Sequence, residues 1–193
     1  MLTDRVIRRR TGSAGRLETS WLVQVGLAAA GSAFLAASAR IAVPLPFTPV
    51  PITGQTLAVL LIGALCGSRL GLATVLTYMA EGLAGLPVFA QGLGGPAVLF
   101  GPTGGYIFGF LLAAFAVGWL LERSENAVTL RVAAVFIVGD IILFAVGTLW
   151  LAHFIGVTSA WMGGVLPFLP GEVLKIAVAT SVLASGRRLL ARP

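Results

Sequence analysis

Glu172 and Lys175, set in the apolar stretch PFLPGEVLKIAVATSVL, are the ionisable residues most in need of an account. Three residues apart on a helix they share one face, and a carboxylate beside an ammonium offers a ligand an acceptor and a donor together. Ionisable side chains inside a membrane are costly, so such a pair is a candidate functional site. A plainer account fits as well: Pro170 suits a first helical turn, Glu172 complements the helix dipole there, and Lys175 snorkels to the interface. At this point both accounts stand. Two more acids, Glu81 beside Gly82 and Asp140 midway along an apolar run, are expected to face the bundle interior and hydrogen-bond a neighbour. No His or paired acid follows either one at helical spacing, so a proton relay rests on their position alone.

The second stretch able to build a site is 91–106, QGLGGPAVLFGPTGGY. Its glycines surrender backbone entropy and its prolines remove donors, so a loop is expected rather than a regular helix. It is uncharged and joins two apolar runs, which places it at or below interface depth. Irregular backbone persists there only where protein or a water-filled cavity covers it. A loop lining a binding cavity is the functional reading, and a structural re-entrant turn is the alternative.

Several chemistries are excluded. Gly92, Leu93, Gly94 and Ala97 loosely match a dinucleotide fingerprint, but no strand precedes them and no βαβ unit surrounds them. The segment GPTGG lacks the lysine of a phosphate-binding loop. A single Cys66 permits no internal disulfide, and a single His153 cannot assemble a metal cluster. The chain is expected to be no enzyme and to use neither metal nor cofactor.

The elements that must position these residues are membrane spans. With 58% hydrophobic and 10% charged residues, the 193-residue chain is far more apolar than a soluble domain, in which about a quarter of residues are charged. Six segments approach spanning length: 21–39, 53–66, 70–89, 106–121, 132–151 and 170–185. Between the first two, Pro44, Pro46, Pro49 and Pro51 force an extended connection. The polar stretch 122–131 reads as a solvated loop. The last span is short, about 24 Å against a hydrocarbon core of about 30 Å, which would start it below the outer surface and bury the Glu172–Lys175 pair.

Of 13 Lys and Arg residues, all except Arg40 and Lys175 fall on the side of the termini, so both termini are expected in the cytoplasm. Residues 1–20 then form a cytoplasmic tail rather than a cleaved signal, 21–186 the transmembrane domain, and 187–193 a basic cytoplasmic tail. The outer connections are rich in Gly and Pro and poor in charge, and are expected to fold down over an outward-facing pocket. Aromatic residues cluster there, among them Phe47, Phe89, Tyr106, Trp150 and Phe168, as interfacial anchors or as pocket walls. On the first span Ala29, Ala33 and Ala37 recur every four residues, a spacing that lets helix backbones approach closely in lipid.

Three segments taken together, PLPFTPVPITGQTLAVLL from Pro44, GLPVFAQGLGG through GPTGGY from Gly85, and PFLPGEVLK from Pro167, resemble the BioY family. These are the biotin-binding membrane subunits of energy-coupling-factor transporters. The resemblance implies an all-α bundle of six transmembrane helices in a prokaryotic cell membrane and high-affinity capture of biotin from outside. It also implies association with a transmembrane coupling subunit and paired ATPases, which would carry the hydrolysis. Family members usually have Asp at the position of Glu172, and Lys175 matches the family lysine. Gln91 is the nearest match to a polar side chain of the third loop, and Gly104, Gly105 and Tyr106 complete the expected ligand-binding set. Ala29, Ala33 and Ala37 match the family's A-x-x-x-A pattern facing the coupling subunit. Biotin's ureido ring, two N–H donors flanking a carbonyl, suits a carboxylate and an ammonium; its carboxylate would meet a backbone nest of the glycine-rich loop or Arg40. The competing readings are an ion-coupled secondary transporter using Asp140 or Glu81, and a membrane scaffold.

Overall fold

The computed structural model describes residues 21–124 and 129–190, together with the side chains up to 185. The first helix, α1 (Trp21–Ala39), leads into an antiparallel hairpin of β1 (Ala42–Leu45) and β2 (Thr48–Thr53). Pro44, Pro49 and Pro51 thus take the extended backbone expected of them, in a two-stranded ribbon with few ladder bonds to lose, while Pro46 falls in the turn between the strands. Next comes α2 (Gln55–Leu83), then a 3-10 turn (Ala90–Gly92) and a one-turn helix α3 (Pro96–Leu99). The chain continues through α4 (Gly104–Glu122), α5 (Thr129–Ile155), α6 (Val157–Gly164) and α7 (Leu169–Leu190). Helices α1, α2, α4 and α5 are each long and apolar enough to cross a membrane, and α6 with α7, bent by 48°, makes a fifth candidate.

Within α2 the backbone breaks at Gly67, at φ 78° and ψ 179°. A Cβ on Gly71 would lie 3.4 Å from Cα of Gly63. Along a continuous helix those residues would be separated by about 12 Å, so the chain doubles back at Gly67 and the two halves of α2 pack as a hairpin. The Glu122 carboxylate holds the turn, accepting from the Ser68 N–H at 2.7 Å and from its hydroxyl at 2.8 Å. On Gly118 a Cβ would fall 2.4 Å from the Ser68 nitrogen, so α4 approaches the turn backbone to backbone.

Gly67 therefore carries two constraints. Its backbone lies in a region open essentially to glycine alone, and an added Cβ would sit 2.5 Å from Oε1 of Glu122. Gly67→Ala is expected to cost about 1–3 kcal/mol, read as a lower unfolding temperature in detergent. An unchanged unfolding temperature would contradict the turn.

Several expected boundaries move. The helix preceding the glycine-rich segment ends at Leu83, and Gly85, at φ 92°, starts the connection. That segment is not wholly irregular: it holds the 3-10 turn and α3, and α4 already begins at Gly104. The connection after α5 contains α6. The last helix has 22 residues rather than sixteen, about 33 Å, so its depth cannot be argued from shortness. It also runs past residue 186, where a tail was expected, while residues 1–20, 125–128 and 191–193 lie outside the described residues.

Helices α2, α4 and α5 enclose the core around Val59, Leu60, Tyr78, Val117, Phe136 and Leu143, all at most 1% exposed. Large apolar side chains on the outer faces, such as Leu149 of α5 and Val173 of α7, remain exposed as lipid contact requires.

Candidate functional site

A cavity of about 490 Å³ lies among the β-hairpin, the start of α2, the glycine-rich segment, α4, α5 and α7. Phe89, Tyr106, Phe110, Phe144 and Phe168 give it aromatic walls, and its polar groups gather where α2 meets α7. Lys175 Nζ lies 2.7 Å from Oε1 of Glu172 and donates to Thr56 Oγ1 at 2.8 Å. The Thr56 hydroxyl in turn donates to Glu172 Oε1 at 3.1 Å. One carboxylate oxygen is thereby saturated, while Glu172 Oε2 is buried with no hydrogen-bond partner among the described residues. Of the three protons on the ammonium, two are placed by these contacts, leaving one for a ligand.

Helix periodicity explains why the pair faces inward. Val173 and Leu174 are 71% and 66% exposed, whereas the Glu172 and Lys175 side chains, one turn apart, are 5% and 15% exposed. A snorkelling lysine would extend to water, whereas this one reaches across to Thr56 of α2. A buried acceptor without a partner is costly unless something donates to it, and here it borders a cavity of ligand size.

The other expected residues divide. Tyr106 lines the cavity with its ring, and its hydroxyl donates to the Gly164 carbonyl at 2.9 Å, joining α4 to α6. Gln91 also lines the cavity; it is exposed at the rim, at φ 59°, the one non-glycine residue with positive φ among the described residues. Gly104 and Gly105 do not border the cavity. They are packing glycines, for a Cβ would fall 1.7 Å from the Leu99 carbonyl oxygen or 2.1 Å from Trp150 Cβ, and neither has positive φ.

Thr56, which completes the polar triangle, and its neighbour Gln55 are cavity residues absent from the expected set. The signal available in sequence was TGQT, a polar interruption between a proline-rich connection and an apolar run, which reads simply as a helix start. Arg40 is likewise not on the cavity wall; its guanidinium donates to the Pro87 carbonyl at 2.7 Å and so ties the end of α1 to the connection after α2.

Glu81 accepts a hydrogen bond from Ser32 on α1, as expected of a buried-looking acid. Asp140 is buried as expected and interacts electrostatically with Glu172 and Lys175, but neither of its carboxylate oxygens has a hydrogen-bond partner among the described residues. The described residues bring together no group of three metal-ligating side chains. On α1 the residues Ala29, Ala33 and Ala37 are exposed, while Ala28, Ser32, Leu35 and Ala39 face the bundle.

The family model described as the BioY family matches residues 12–192. The chain is 36% identical over 159 residues to the probable biotin transporter BioY of Pyrococcus horikoshii, covering 82% of this chain and 93% of the relative. To biotin transporter BioY2 of Lactococcus lactis it is 35% identical over 166 residues, covering 85% and 90%. Its fold is similar to that in a crystal structure of the S-component for biotin from an ECF-type ABC transporter, with a TM-score of 0.79 and 26% identity over 93% of this chain and 96% of that one.

Proposed function

The chain belongs to the BioY family, and on that premise we propose that it captures biotin at the membrane and delivers it as the substrate-binding subunit of an energy-coupling-factor transporter. The observation that carries this reading to the site is Glu172 Oε2, a buried acceptor without a partner beside a lysine proton to spare, on an aromatic-walled cavity. One ureido N–H of biotin donates to that oxygen and the ureido carbonyl accepts from Lys175 Nζ. The thiophane ring packs on Phe144 and Phe168, and the valerate extends toward the rim, where Gln91 sits.

The reversal at Gly67 supports counting α2 as two spans, which with α1, α4, α5 and the α6–α7 pair gives six. An even count puts both termini on one side, and the Lys and Arg bias names it the cytoplasm. Residues 21–186 are then the transmembrane domain, with 1–20 and 187–193 as cytoplasmic flanks. Since the sequence holds no phosphate-binding loop, ATP is hydrolysed on partner subunits, reached through a transmembrane coupling subunit that docks on Ala29, Ala33 and Ala37.

Equilibrium titration of detergent-purified protein with biotin, followed by tryptophan fluorescence, tests the reading. Trp150 donates to the carbonyl of Gly101, a cavity residue, and is placed to report occupancy. Saturable, stoichiometric binding is expected, and its absence in folded protein would overturn the proposal.

A further inference from the structure

The cavity holds a second oriented acceptor. Gln55, 4% exposed and on the cavity wall, donates from Nε2 to Tyr78 Oη at 2.7 Å, and the Tyr78 hydroxyl donates to the Val88 carbonyl at 3.0 Å. A tyrosine hydroxyl has one proton, and a carbonyl can only accept. If that proton goes to Val88, Oη must accept from Gln55, and the carboxamide must present its NH2 to Tyr78. The reverse orientation would draw the proton to Gln55 and leave the Val88 carbonyl unbonded. Oε1 of Gln55 is therefore turned away from Tyr78. Tyr78 itself cannot shift to accommodate a flip: it is fully buried and sits edge-on to Phe89 at 5.3 Å.

Next in sequence to Gln55 is Thr56, which binds both members of the charged pair. Glu172 Oε2 is thus an acceptor and Lys175 Nζ a donor on the polar wall, and Gln55, a residue of the same wall, has its carboxamide oxygen held off Tyr78 as a second acceptor. A cyclic urea presents the complement, donor, acceptor, donor. Resting on the function proposed above, we infer that Gln55, its amide fixed by the Tyr78–Val88 relay, accepts the second ureido N–H of biotin and so selects for a urea with both nitrogens unsubstituted. A ligand with only one N–H would leave a buried acceptor unsatisfied, which is how a polar site rejects a near-isostere.

The test is a cycle between protein and ligand. Wild type, Gln55→Met and Tyr78→Phe are each titrated with biotin and with two analogues, in which one or the other ureido N–H is replaced by CH2. Wild type should bind biotin best and each analogue about tenfold more weakly. Gln55→Met should bind biotin about tenfold more weakly and lose nothing further for the analogue lacking the N–H assigned to Gln55, while still discriminating against the other. Biotin affinity unchanged in Gln55→Met, or the full penalty for both analogues in that variant, overturns the inference while leaving biotin binding intact. If Gln55→Met does not fold, Tyr78→Phe decides. It keeps the ring contact with Phe89 but frees the amide to turn, and a smaller loss with narrowed discrimination for the same analogue is expected; undiminished discrimination for both analogues overturns the inference. Failure of the wild type to bind biotin would instead sink the function itself.

Discussion

Lys175→Ala should weaken biotin binding by about 10- to 100-fold, the range for losing a charge-assisted hydrogen bond in a buried site. The substitution removes the donor for the ureido carbonyl and leaves Glu172 with Thr56 as its remaining hydrogen-bond donor. Breaking a buried pair also destabilises a protein, because one charge loses its compensation. The two consequences separate in a second variant. Removing the acid as well, with Glu172→Gln in the Lys175→Ala background, should recover part of the unfolding temperature, since the position of Glu172 then carries no charge left without its partner. It should recover little affinity, because ligand recognition needs both groups. Wild-type affinity in well-folded Lys175→Ala would show that the ligand does not use this corner of the cavity. Affinity that returned together with stability in the double variant would reduce the pair to scaffolding.

This pair was legible because two ionisable groups in an apolar run have few explanations, and helical spacing puts them on one face. Thr56 and Gln55 were not, since a hydroxyl and an amide at the start of an apolar run look like any helix beginning. Their significance comes from α7 and from Tyr78, contacts made across 116 and 23 residues of sequence. Glycines were visible but their reasons were not. Gly67 needs its positive φ, whereas Gly104 and Gly105 are small because Leu99 and Trp150 press on them. Composition records the residue and not which constraint selected it. Helix ends were misplaced for a related reason: hydropathy marks membrane contact, while a helix continues for as long as its backbone can, so α5 and α7 outrun their apolar segments. The expectation for Asp140 failed at the hydrogen bond, because burial follows from its place on an apolar helix but the identity of its neighbours does not.

Trp in place of Ala33 should leave biotin affinity near wild type and abolish ATP-dependent uptake. No residue of α1 lines the ligand cavity, so bulk added to this helix does not touch the site. Nor do the three alanines pack the bundle: Ala29, Ala33 and Ala37 are exposed, and the inward face of α1 is carried by Ala28, Ser32, Leu35 and Ala39. Small residues turned outward at four-residue spacing are poor at filling space against lipid tails. They are well suited to let a partner helix approach until backbone meets backbone, where van der Waals contact supplies the association energy. An indole at the middle of such a stripe holds the partner helix off along its whole contact. Ala33 and Ala37 also border a groove with Arg40 and Glu81, so Ala29→Trp, which lies away from that groove, serves as the independent variant. Both proteins should bind biotin, fail to co-purify with the coupling subunit and support no ATP-dependent uptake. A variant that loses biotin binding would tie α1 to the ligand site after all. Full complexes with normal uptake in both would make this stripe a lipid-facing surface and move the docking surface to another helix.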